Sequence, residues 1–231
     1  MLCSTYKMVQ SAVRIASGLG LILDLDGVIV DSLSVHEIAW DEYLKRIGMY
    51  EPGLMQRMTG WRNEEIMREL LGSEENQAEI VRHGAEKEKL YREFMRDQLL
   101  ERLIPGVRGF LESRSGVPLG LASNAEPANI DFVLDQAGIR QYFAVIVDGS
   151  QVTRPKPAPE IYELAARKLE IAPRNCIVFE DSVVGITAAR SAGCRVVGVL
   201  TQKTPLTNVD LEVQDFRSPE LEQWLAEQRA H

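Results

Sequence analysis

The stretch Leu21 to Ser32, LILDLDGVIVDS, sets two carboxylates and a glycine at the point where a continuous apolar run stops. Such a run reads as a strand covered on both faces in a parallel sheet. Asp24 and Asp26 therefore stand at the rim of a core. Ionised carboxylates are costly there unless paired or bound to a cation, and a hydroxyl or amide would satisfy the backbone at lower cost. The stretch marks a site as well as a strand.

Behind Ser32 the period changes. His36, Ala39, Trp40, Tyr43, Leu44 and Ile47 form one stripe of an amphipathic helix that Gly48 can end. From Pro52 to Leu103 the pattern stays helical, with a highly charged segment from Glu74 to Arg102, until Pro105 and Gly106 close it. Strands are then expected at Val117–Ala122, Phe143–Val147, Cys176–Phe179 and Arg195–Leu200. Helices are expected over GVRGFLESR, over the stripes Ile130–Ala137 and Ile161–Leu169, over Ser182–Ala192, and over a last stretch from Pro219. This alternation implies an α/β fold, a Rossmann-like doubly wound parallel sheet with right-handed crossovers. The early helical block breaks the rhythm and reads as an inserted α-helical cap domain. The expected division is an N-terminal extension at 1–17, a core from 18–32 and 104–231, and a cap at 33–103.

Composition narrows the partners. A formal net charge of −8 over 231 residues argues against nucleic-acid binding, which draws on clustered Lys and Arg. A small anionic substrate fits if positive charge is local. Cys3, Cys176 and Cys194 show no metal-ligand spacing and read as thiols in a reducing compartment. No apolar run approaches the ~18 residues of a membrane span, and the N-terminal segment lacks a signal-peptide pattern. The expectation is a cytoplasmic protein, a monomer or weak homodimer, with no membrane and no nucleic-acid partner.

In open sheets of this type ligands bind at the carboxyl ends of strands. Four clusters converge there: Asp24 with Asp26, Ser123 with Asn124, Lys156 within RPKPAPE, and Glu180 with Asp181. An Asp at a strand end is often only a turn or cap residue, so the common location carries the argument. An acidic cluster suited to Mg²⁺, one fixed cation and a hydroxyl donor are what phosphoryl transfer requires. Asp24 is placed as nucleophile, forming an aspartyl phosphate. Asp26, two residues on, serves as general acid and then general base. Asp181, helped by Glu180, holds the metal with Asp24 and a carbonyl of Asp26. Ser123 and the amide of Asn124 bind the phosphoryl oxygens.

DLDGVIVDS, ASN, RPKPAPEIY and FEDSVVGITAARSAG, in that order, resemble the four signatures of the haloacid dehalogenase superfamily of phosphotransferases. The resemblance runs from Gly20 to Leu200 and is to the branch with a helical cap after the first strand, beside beta-phosphoglucomutase and phosphoglycolate-type phosphatases. It implies that the first Asp of DxD is the nucleophile, and that Asp26 favours phosphate chemistry over dehalogenation. It also implies that His36 hydrogen-bonds the general acid and that Lys87 approaches it from the cap. By residue type alone, His36 on an apolar face reads as a core histidine and Lys87 in a charged helix as a solvated one. Gly60, Trp61 and Arg62, in a break between cap helices with Thr59 and Asn63, are expected to meet the substrate. Glu126, where a mutase carries a basic residue, would repel a second phosphate.

The expected function is a Mg²⁺-dependent phosphatase acting on a small phosphorylated metabolite, such as a sugar phosphate. The alternatives are beta-phosphoglucomutase, with transfer inside a hexose phosphate, and more remotely a non-catalytic binding scaffold.

Overall fold

The computed structural model describes residues 18–58, 62–72, 76–202 and 204–228. The expected extension at 1–17, Cys3, and the expected substrate contacts Gly60 and Trp61 lie outside them, as does Thr59. The described strands are β1 (Gly20–Leu23), β2 (Leu119–Ala122), β3 (Val145–Val147), β4 (Cys176–Glu180), β5 (Arg195–Val199) and β6 (Leu211–Val213). They form one sheet in the order β3-β2-β1-β4-β5-β6, every neighbouring pair parallel.

Strand alternation divides the core between the two faces of the sheet. Leu21 and Leu23, with Leu121, Ile177, Phe179 and Val197, join one buried cluster. Ile22, Ala122, Val178 and Val196 join the other. The first cluster takes in α5 (Val107–Glu112), α6 (Pro127–Ala137) and α9 (Pro219–Gln228). The second takes in α7 (Glu160–Lys168) and α8 (Val183–Ser191). β1 is central and paired on both edges, which is why its sequence is apolar at every position. Phe179 is fully buried on β4, with Phe110 and Phe216 rings at 5.3 and 5.5 Å.

The sixth strand was not expected from the sequence. Its three residues, Leu-Glu-Val, are too short for a period to show, and they pair with β5 through the fold around them.

Between β1 and α5 the chain forms four helices among the described residues, α1 (Leu33–Arg46), α2 (Leu54–Arg57), α3 (Asn63–Leu71) and α4 (Gln77–Met95). The chain leaves and re-enters the sheet side by side: Asp31 N–H donates to Arg102 O at 2.8 Å and Ile104 N–H to Ile29 O at 2.9 Å. On α1 the buried face is Val35, Ala39, Trp40, Tyr43 and Leu44, so the expected stripe holds from Ala39 while His36 is half-buried. Gly84 lets α3 approach α4 closely; a Cβ there would lie 3.3 Å from Asn63 Cβ. No described helix is long and apolar enough to cross a membrane.

The aromatic cluster gives a direct test of where the core is tightest. Phe179→Ala should lower the unfolding free energy by about 3–5 kcal/mol, read by urea denaturation, because the emptied ring site lies between rigid neighbours.

Candidate active site

The sheet order reverses at β1, with β2 on one side and β4 on the other, so the carboxyl ends of these strands bound one crevice. Asp24 follows β1 directly, and its N–H extends the ladder to Phe179 O at 3.1 Å. Ser123 follows β2, its N–H donating to Val147 O at 3.1 Å. Glu180 ends β4 and Asp181 follows it.

Lys156 reaches the crevice from the loop before α7. Its Nζ donates to Asp24 Oδ1 at 2.6 Å, Glu180 Oε1 at 2.7 Å and Ala122 O at 3.2 Å. It also lies 4.7 Å from the Tyr162 ring centroid. Burial pushes the ammonium down, but the two carboxylates outweigh it and hold its pKa above the ordinary lysine range. Burial drives the Asp24 carboxyl up, against the opposing pull of Lys156. Asn124 Oδ1 accepts from Lys156 N–H at 3.3 Å, tying the lysine loop to the end of β2. Ser123 Oγ accepts from Ala125 N–H at 3.2 Å, leaving its own proton to donate.

Glu180, expected beside Asp181 as a metal ligand, has both oxygens occupied by protein. Oε1 accepts from Lys156 and from Tyr162 OH at 2.7 Å; Oε2 accepts from Asp181 N–H, Ser182 N–H and Ser182 Oγ. Its place is beneath Lys156. The absence of a side chain at Gly185 makes the room, since a Cβ there would fall 1.7 Å from Glu180 Oε1.

Asp181 is different. It is 4% exposed, and its Oδ2 takes only neutral donors, Gln202 Nε2 at 2.8 Å and Thr201 Oγ1 at 3.2 Å. Burial, with Glu180 adding to it, pushes its pKa up to about 7. The carboxylate presses on the turn after Asp24: a Cβ on Gly27 would lie 1.8 Å from Oδ2, and Gly27 has φ +75°. Only glycine meets both conditions.

These residues fit a hard divalent cation. Asp24 Oδ2 and the Asp26 carbonyl take no hydrogen bond from a described residue, and Asp181 is a buried acid with no cationic partner among them. Among the described residues no three His, Cys, Asp or Glu side chains cluster as a ready cage. Two carboxylates, one carbonyl and waters are the smaller protein share that Mg²⁺ takes.

On the other side of the crevice Asp26 is held by α1. Ser32 Oγ donates to Asp26 Oδ1 at 2.6 Å, giving up the capping role its position offers, and His36 Nε2 lies 3.7 Å from the same oxygen. Burial raises the Asp26 carboxyl, but His36 and Ser32 outweigh it and hold the pKa below the ordinary value. The His36 ring stacks on Tyr91 at 3.8 Å, and its Nδ1 meets Lys87 Nζ at 2.8 Å.

Lys87 is thus not solvated. It is 2% exposed, paired with Glu88 Oε1 at 2.9 Å, and burial lowers its pKa although Glu88 opposes the change. Arg62 heads α3, bonded to Glu65, and lines a cavity of about 520 Å³ that also touches Asp26, His36, Asn124 and Glu126. Glu126, expected to repel a second phosphate, is paired with Arg92 Nη1 at 2.7 Å.

Several residues of this arrangement escape sequence reasoning. Glu88, Tyr91 and Asn129 sit on helices whose local pattern gives no sign of a polar network. Gln202 and Thr201 follow β5, and their signal is that position alone.

Residues 20–193 match the family described as haloacid dehalogenase-like hydrolase. The chain is 34% identical over 186 residues to the fructose-1-phosphate phosphatase YqaB of Escherichia coli (strain K12), covering 78% of this chain and 95% of that one. It is 33% identical over 214 residues to the beta-phosphoglucomutase of Bacillus subtilis (strain 168), covering 87% and 92%. Among solved structures, the beta-phosphoglucomutase of Clostridium difficile superposes with a TM-score of 0.75 at 27% identity, over 91% of this chain and 96% of that one. The chain belongs to the haloacid dehalogenase-like hydrolase family, and its enzyme class is phosphoric monoester hydrolase.

Glu88 provides a test of the polar network. Burial alone would raise its pKa; Lys87, His36 and the Asn63 hydrogen bond outweigh this and bring it to about 2. A carboxyl depressed in the folded state stabilises the fold above the unfolded pKa and loses that contribution as pH falls. The stability advantage of wild type over Glu88→Gln, about 3 kcal/mol near neutrality, should therefore shrink as pH drops from about 4.5 towards 2. Urea unfolding of both proteins across that range measures it.

Proposed function

We propose that the chain is a Mg²⁺-dependent phosphatase that hydrolyses a small phosphomonoester, such as a sugar phosphate, through a phosphoryl group carried on Asp24. The observation that carries this reading is the buried Lys156 bridging Asp24 and Glu180, with Asp26 held separately across the crevice. The helical unit between residues 33 and 103 serves as the cap over this site. The chain works in the cytoplasm as a monomer or weak homodimer, on a phosphorylated metabolite and not on nucleic acid.

In the first half-reaction an Asp24 oxygen attacks phosphorus, the bond from phosphorus to the ester oxygen breaks, and Asp26 gives its proton to the departing alkoxide. The arriving phosphate dianion adds negative charge beside Asp26 and raises its proton affinity, which suits the acid step. In the second half-reaction Asp26 takes a proton from water as the water oxygen attacks phosphorus, freeing Asp24 and inorganic phosphate. Ser123 Oγ and the Asn124 N–H donate to the phosphoryl oxygens. Lys156 offsets the charge that Asp24 and the phosphate bring together, and Glu180 holds Lys156 in place. Mg²⁺, held by the Asp24 and Asp181 carboxylates and the Asp26 carbonyl, would supply the remaining charge neutralisation.

Water as the acceptor is favoured by the charge around the cavity. Its described cationic side chains, Arg62 and Lys87, are tied to Glu65 and Glu88, while Glu37 and Glu64 also face it and Glu126 faces it paired with Arg92. That lining suits a substrate with one phosphate better than a bisphosphate. The second reading, beta-phosphoglucomutase, is supported by the Bacillus subtilis relative.

With a generic aryl phosphate and Mg²⁺, Asp24→Asn should lower turnover more than about 1000-fold. Asp26→Ala should lower it about 100- to 10,000-fold, in both formation and breakdown of the phosphoenzyme. EDTA should abolish turnover and added Mg²⁺ restore it. With beta-glucose 1-phosphate and a bisphosphate primer, phosphate release should exceed isomerisation; rapid isomerisation with negligible release would overturn the phosphatase reading.

A further inference from the structure

Asn129 lies on α6, on the sheet side of the molecule, and is 3% exposed. It meets α4 of the insertion with both ends of its amide. Nδ2 donates to Glu88 Oε2 at 2.7 Å, and Oδ1 accepts from Arg92 Nη1 at 2.6 Å. Arg92 is itself held by Glu126, so the amide's orientation is set. Glu88 Oε1 is filled by Lys87 at 2.9 Å and Asn63 at 2.6 Å. Asn129 is thus the donor on the remaining oxygen.

That oxygen has a competitor. His36 Nδ1 lies 3.7 Å from Glu88 Oε2 and 2.8 Å from Lys87 Nζ. An ammonium has only donors, so the contact with Lys87 requires a bare Nδ1; a contact with Glu88 would require a proton there. Neutral imidazole carries one proton, and with Nδ1 bare it sits on Nε2, which faces Asp26 Oδ1. Stacking on Tyr91 fixes the ring plane.

We propose that Asn129 is a positioning residue for Asp26: by satisfying Glu88 Oε2 it keeps His36 in the tautomer whose Nε2–H faces the Asp26 carboxylate. The inference rests on the acid–base role assigned to Asp26 above. Remove the Asn129 donor and a buried carboxylate oxygen is left unsatisfied, with His36 Nδ1 the nearby group able to supply a proton. The Nε2 lone pair then faces Asp26, and the acid loses its alignment. Asn129 and Glu88 belong to different halves of the molecule, so the tautomer is correct only while the insertion is seated on α6.

The test uses the full chain in Mg²⁺ and inorganic phosphate, with the ¹⁵N shifts of the His36 imidazole assigned by their loss in His36→Ala. Nδ1 should be bare in wild type and protonated in Asn129→Leu. The same variant should lose about 10- to 100-fold in kcat with KM little changed. Combining it with His36→Ala should cost no more than His36→Ala alone. A bare Nδ1 in the variant, or losses that multiply in full, overturns the proposal. Should the leucine variant not fold, Asn129→Asp keeps the acceptor for Arg92 and drops the donor. Protonated Nδ1 is again expected, and a bare one again overturns it. Ring protonation is read without turnover, so a chain lacking phosphatase activity would sink the Asp24 and Asp26 assignments while leaving this result to stand or fall by itself.

Discussion

One ammonium group holds the centre of this molecule together. Lys156 Nζ stands between Asp24 and Glu180, and no other described cation forms an ion pair with either. At about 4 Å and an effective dielectric of about 20, two bare carboxylates repel by about 4 kcal/mol, and burial adds to that cost. The surroundings make the ion pair tolerable: Tyr162 and the turn after β4 fill the rest of Glu180, and Gly185 leaves it space. The neighbouring ends of β1, β2 and β4 each give Lys156 an acceptor, which they can do because the sheet order reverses between them.

The two aspartates of the DxD pair are governed by different parts of the protein. Asp24 is fixed by the sheet and the lysine loop, all core elements. Asp26 is fixed by Ser32 and His36 at the start of α1, and beyond them by α4. A rearrangement of the helical insertion would therefore leave Asp24, the proposed nucleophile, untouched and alter Asp26, the proposed acid. Separate control suits a reaction in which one carboxylate must stay ionised and the other must gain and lose a proton.

The parallel sheet and its order of strands and helices were legible because buried strands and amphipathic helices leave different periods in the sequence. β6 was not, being three residues whose pairing is decided by its neighbours. Asp24, Asp26, Ser123 and Asp181 were legible as strand-end groups and Lys156 from the segment RPKPAPE, and the structure brings them into one crevice. Glu180 was expected to help hold the metal, but adjacency to Asp181 says nothing of direction: successive residues at a strand end point apart, and the Glu180 oxygens accept from Lys156 and other protein donors. By residue type alone Lys87 read as a surface lysine, because charged residues flank it in the run EKEKLYRE. Its burial depends on α1, Trp40 and Glu88 arriving from elsewhere in the chain.

The contact between Lys156 and Asp24 joins residues 132 positions apart, and β1 must find both β2 and β4 across long intervening segments. Closing such loops costs entropy before the contacts repay it. The crevice therefore cannot be assembled from local structure, and a chain that has formed its helices but not its central strand pairings holds three buried-type charges with nowhere to put them. The ion pair acts as a checkpoint on topology: a compact state with misplaced strands leaves Asp24 or Glu180 without its counter-charge, and so is disfavoured by electrostatics as well as by packing.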